Sequence, residues 1–162
     1  MPNLYGIPTA QSLNSVRPET LPLDEALAKM DSLFSEKKKI SVEAKGNSMI
    51  PFIYDGDKVV LERLTKSRKI RRGDVLFYLK GDDWAISRVV KVQSPKRYVM
   101  CGDAQTKRET LRRSDVAAVV CDVKGPKSSV STDSFGWRAT SALWRLAKPL
   151  RGTLLRTVFR FR

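Results

Sequence analysis

Ser48 is the residue of this chain whose setting could do chemistry. It sits in Gly46-Asn47-Ser48-Met49-Ile50-Pro51, and the segment runs on to Gly56-Asp57. A serine hydroxyl attacks a carbonyl only when a group within hydrogen-bond reach takes its proton. The segment therefore describes either a nucleophile or a tight turn between strands. The chain contains no histidine, which excludes Ser-His and Cys-His pairs, the usual zinc sites and the ordinary neutral-pH proton shuttle. Cys101 and Cys121 match no metal-binding spacing and read as buried strand thiols of a reducing compartment. No metal ion and no cofactor are expected.

The elements that must position Ser48 are short and rich in β-formers. With 162 residues, 41% of them apolar, the chain suffices for one domain with a real core. Residues 1–22 hold Pro2, Gly6, Pro8 and Pro18 and read as an extended arm. An amphipathic helix is expected over 23–39, with Asp24 as its N-cap, Leu27, Met30 and Phe34 on one stripe, and Lys37 to Lys39 at the C-terminal end, where they favour the helix dipole. From Ile40 the period changes to two. Residues 40–46, 57–64, 73–81, 84–92, 97–103 and 116–123 alternate, carry Val, Ile, Tyr and Phe, and are bounded by Gly, Asp or Pro. These six strands predict a mainly β, mostly antiparallel domain over 40–125. Residues 126–135 read as a linker.

The formal charge of +14 points to an anionic partner. Seven of those charges lie after Asp133, on Arg138, Arg145, Lys148, Arg151, Arg156, Arg160 and Arg162, with no acidic residue among them. Leu143, Ala147, Leu150, Leu154 and Val158 recur there at helical spacing. Residues 136–162 thus read as a basic amphipathic tail that contacts an anionic membrane surface through Trp137, Arg138, Trp144, Arg145, Lys148, Arg151 and Arg156. The competing reading packs the apolar stripe on the β domain and leaves the arginines solvated. Nucleic acid is the weaker partner, because no helix-turn-helix precedes the β domain. The N-terminus lacks the charged and apolar regions of a secretory signal, and no apolar run spans a membrane. A cytoplasmic location, peripheral at the membrane, is expected.

GNSMIPFIYDGD, IRRGDVLFY, and AISRVVKV followed by YVMCGDA occur in that order. In this combination the chain resembles the LexA-like and type I signal peptidase superfamily of serine peptidases, over about residues 40–123. The resemblance implies a LexA/signal-peptidase-like β domain with Ser48 as nucleophile and its backbone N–H in an oxyanion hole. Gly46 and Asn47 would border that hole, and Met49 and Pro51 would shape the site. Gly56-Asp57 and Gly73-Asp74 read as strand-end turns, glycine supplying a positive φ and aspartate bonding back to the backbone. Gly102-Asp103-Ala104 matches the family's last box, where Asp103 supports the site.

The family's base is a lysine or a histidine directly before an Arg-Val or Arg-Leu pair. Here that strand reads Ala85-Ile86-Ser87-Arg88-Val89, so the base position falls on Ser87. Arg88 is present and stays protonated. By alternation Lys91 shares the face of Ser87, but about 13 Å along the strand. Lys45 falls on the wrong side of the turn by the same alternation, and Lys80 at a strand end is the remaining lysine. Three readings of Ser48 follow. It is the nucleophile of a serine endopeptidase with its base elsewhere, part of a groove that holds an extended peptide or partner strand without turnover, or a structural turn. The bound peptide could be the chain's own arm. The sequence sets no oligomeric state.

Overall fold

The computed structural model describes residues 23–36, 38–81 and 83–147. The arm expected over 1–22, and the tail residues Lys148, Arg151 and Arg156, lie outside the described residues. Helix α1 spans Leu23–Glu36, three residues short of the expected end, and places Asp24 inside its first turn. Strands follow at β1 (Lys39–Glu43), β2 (Lys58–Arg63), β3 (Val75–Lys80), β4 (Asp83–Ser94), β5 (Arg97–Cys101) and β6 (Glu109–Arg112). A 3-10 turn at Arg113–Asp115 leads into β7 (Val116–Lys124), then β8 (Ser129–Ser131) and helix α2 (Phe135–Leu146).

All pairings are antiparallel, in the order β1-β2-β7-β3-β4-β5-β6, with β8 on β7. The fold is thus the mostly antiparallel β domain that the alternating segments predict. Two strands are additional. β6 buries only Leu111 and is held by its ladder with β5. β8 buries nothing, lies within the expected linker, and forms a hairpin with β7 closed by Gly125 N–H donating to Ser128 O at 2.9 Å.

The sheet separates two cores, and β3 serves both. Val75 and Phe77 join Met30 and Phe34 of α1, Ile40 and Val42 of β1, and Met49 and Ile53 of the Ser48 segment. Leu76 and Tyr78 point the other way, among Val89, Tyr98, Met100 and Leu111. Cys101 and Cys121 are buried on β5 and β7, and burial pushes the Cys121 thiol up to about 11.

Helix α2 starts at the N-cap Ser134, whose Oγ accepts the Trp137 N–H at 3.3 Å. The helix packs on the sheet. Trp137 is buried with its ring edge-on to Phe52 at 5.3 Å, and Trp144 Nε1 donates to Asp103 O at 2.9 Å. In this part of the tail the two tryptophans pack inward, while Leu143 of the expected apolar stripe is exposed. Among the described residues no helix is long and apolar enough to cross a membrane.

Beneath α2 lies Arg88, fully buried. Its Nε donates to Asp103 Oδ1 at 2.8 Å, its Nη2 to Oδ2 at 2.6 Å and its Nη1 to Gly73 O at 3.0 Å. The guanidinium also lies 5.0 Å from the Phe52 ring centre and 5.4 Å from that of Trp137. Losing one member of a buried ion pair leaves the other charge uncompensated. Arg88→Leu should lower stability by about 3–5 kcal/mol, read as a fall in the urea midpoint. Arg88→Leu combined with Asp103→Leu should recover part of that loss, because no lone charge stays buried.

Candidate active site

The Ser48 segment is a loop fastened at both ends. Ala44 N–H donates to Asp57 O at 2.8 Å and Gly56 N–H to Ala44 O at 2.9 Å, so the β1–β2 ladder continues to the mouth of the loop. Gly46 has φ +79 and donates its N–H to Asp55 Oδ1 at 2.6 Å. That conformation is strained for a residue with a Cβ. Asp57, buried, accepts the Tyr54 N–H at 2.8 Å, and Asp74 accepts the Arg71 N–H at 2.8 Å. Each follows a glycine of positive φ, which is the turn chemistry of a Gly-Asp strand end. Met49 and Ile53 anchor the loop in the core, Pro51 is half-buried and Asn47 is exposed on the turn.

The last Gly-Asp-Ala box closes against this loop. Ala104 N–H donates to Ser48 O at 2.9 Å. A Cβ on Gly102 would lie 2.5 Å from that same carbonyl oxygen, so only glycine fits. The box thus fixes the Ser48 backbone, while Asp103 holds Arg88 on the other side. Among the described residues nothing accepts the Ser48 N–H, and nothing hydrogen-bonds to Ser48 Oγ.

Ser48 and Ser87 line one cleft of about 310 Å³. Its walls are residues 42–46 on one side and 83–87 on the other, with Phe77, Tyr78, Lys80, Gln105 and Glu109 between them. Both walls are strand edges. Among the described residues β1 pairs only with β2, and the 83–87 half of β4 pairs only with β3, because β5 reaches β4 from Arg88 onward.

At the base position Ser87 is buried in a polar chain. Its Oγ lies 3.1 Å from Tyr78 Oη, which lies 2.6 Å from Glu109 Oε1, and Glu109 Oε2 lies 2.8 Å from Lys80 Nζ. A phenol has one proton and a carboxylate only accepts, so Tyr78 donates to Glu109 and Ser87 donates to Tyr78. Burial, together with this bond to Glu109, pushes the Tyr78 phenol well above its ordinary range. Burial alone would raise the Glu109 carboxyl, but hydrogen bonds from Lys80 and Tyr78 outweigh it and hold the group below its usual value. Sequence reasoning missed Tyr78 and Glu109. Tyr78 reads as one more strand aromatic, and Glu109 lies on the unforeseen β6.

The lysines fall differently from the alternation argument. The β4–β5 ladder pairs Val89 with Met100 and Lys91 with Val99, leaving Val90 as an extra residue. This bulge makes Val89 and Lys91 successive positions, so Lys91 faces away from Ser87 rather than with it. Lys91 lines a separate cavity with Arg72, Arg108 and Arg145. Lys45, expected on the wrong side of the turn, lines the Ser48 cleft. Lys80 lines it too, with its ammonium on Glu109. Trp137 and Trp144 are turned to the domain, and Arg138 pairs with Asp133 at 4.0 Å.

The family model described as Peptidase S24-like matches residues 6–122. The chain belongs to that family and so to the LexA/signal peptidase-like superfamily. No curated protein matches it.

Two outcomes follow from this geometry. Gly102→Ala should destabilise the fold by about 1–3 kcal/mol, measured by urea unfolding, because Ser48 O or the box must move. A carboxylate whose folded value is depressed stabilises above its unfolded pKa, and that contribution is lost as pH falls through the folded value. Glu109→Gln should therefore flatten the acid limb of the stability–pH curve and leave its neutral part parallel to that of the native chain.

Proposed function

We propose that this chain binds an extended peptide as an added strand in the Ser48 cleft and turns it over slowly or not at all. Two strand edges unpaired among the described residues, β1 and the first half of β4, support the first part. The outward N–H and C=O groups of a strand edge are what β-augmentation uses. A carbonyl of the added strand beside Ser48 would find the unengaged Ser48 N–H as an oxyanion donor. The observation that carries the second part is Ser87. Its hydroxyl proton is committed to Tyr78, and a neutral hydroxyl cannot take the proton of Ser48.

A second reading keeps turnover and takes Lys45 as base. It is favoured by one observation: Lys45 lines the cleft and makes no ion pair among the described residues.

Turnover of a diverse peptide mixture, read by mass spectrometry, separates these. The native chain should show little or no cleavage. Ser87→Lys should raise it by about 10²–10⁴-fold, the usual worth of a positioned base, and Ser48→Ala in that background should abolish it. Cleavage by the native chain that disappears in both Ser48→Ala and Lys45→Met would establish the second reading. Failure of the native chain and of Ser48→Ala to retain any peptide would overturn the binding proposal.

A further inference from the structure

The indoles of α2 face the domain, so any surface this helix offers is made by other residues. Trp137, Ser141 and Trp144 define its inner side. Phe135, Leu143 and Leu146 lie on the opposite side and are 87%, 68% and 76% exposed. At positions i, i+8 and i+11 they form one stripe. Three large apolar side chains exposed together on one helix mark an interaction face.

The same helix also borders a cationic cavity. Arg145 lines a cavity of about 480 Å³ with Arg72, Lys91 and Arg108, and no carboxylate lines it. Arg72, Lys91 and Arg108 make no ion pair among the described residues. The β4 bulge contributes here, because it turns Lys91 away from the Ser48 cleft and into this cluster.

We infer that this face docks on an anionic lipid surface, with Phe135, Leu143 and Leu146 entering the headgroup–acyl boundary and the exposed Arg72, Lys91 and Arg108 binding lipid phosphates. Charge complementarity selects this occupant. A second copy would bring the same cations against these ones, since a two-fold contact is self-complementary. The chain beyond Ala147 carries Lys148, Arg151, Arg156, Arg160 and Arg162 and no acid, so it does not complement the cluster either. Duplex DNA would satisfy the cations but leave the apolar stripe without a partner. The inference is independent of the peptide proposal.

The test is flotation of the full chain with vesicles of phosphatidylglycerol and phosphatidylcholine, against phosphatidylcholine alone. The native chain should float only with the anionic vesicles. Leu143→Glu/Leu146→Glu and Arg72→Glu/Arg108→Glu should each cut the bound fraction by about tenfold. All four positions are on the surface, and thermal melts should match the native chain. Lys58→Glu/Lys127→Glu, which removes the same charge elsewhere, should bind nearly as the native chain does. Undiminished binding of the leucine variant would overturn the inference, since charge alone would then suffice. So would an equal loss in the charge-matched control, or binding to duplex DNA without flotation.

Discussion

Arg88 is the constraint on which the rest of the site depends. A guanidinium stays charged in any environment a protein provides, and this one is wholly out of water. Its charge is tolerable only because Asp103 takes it with two short bonds, Gly73 O takes a third, and the Phe52 and Trp137 rings cover it. Those partners come from four places in the chain: the loop after Ser48, the Arg-Arg-Gly-Asp turn, the Gly-Asp-Ala box and α2. One buried cation thus demands that all four arrive together. The Gly-Asp-Ala box then transmits this order to Ser48 through the Ala104–Ser48 bond and the close approach at Gly102.

Ser87 stands next to Arg88 yet carries none of this load. Successive residues of a strand point to opposite faces. Arg88 turns toward Phe52 and Trp137, Ser87 toward Tyr78 and the cleft. The base position can therefore change chemically while the scaffold around Ser48 keeps its form. What replaces the base is a hydroxyl whose partner chain runs away from Ser48, through Tyr78 and Glu109 to Lys80. The order around Ser48 is thus held from the Arg88 side of the strand, and the Ser87 side is free to differ.

The parts legible in the sequence are those fixed by local chemistry. Period-two alternation announced six strands, and the glycines before Asp57 and Asp74 announced turns that adopt positive φ. The Ser48 cleft was legible through its boxes. What escaped was set by pairing rather than by the residues themselves. β6 and β8 bury one apolar side chain between them, so no period marks them, and the ladder alone makes them strands. The extra residue at Val90 is invisible to alternation because it breaks alternation, and it reversed the side on which Lys91 emerges. Glu109 could not be joined to Tyr78 from sequence, since 31 residues separate them and Glu109 lies on an unforeseen strand.

Helix α2 answers to both faces of the molecule at once. Its inner side covers the Arg88 guanidinium with Trp137 and holds the Asp103 carbonyl with Trp144, while its outer side carries the exposed apolar stripe. Deleting it would do more than remove a surface. It would uncover a buried charge, whose pairing with Asp103 would then compete with water, and loosen the box that fixes Ser48. The exposed apolar stripe and the cover over Arg88 thus lie on opposite sides of one helix. Changes confined to its outer side can separate the two, and a truncation cannot.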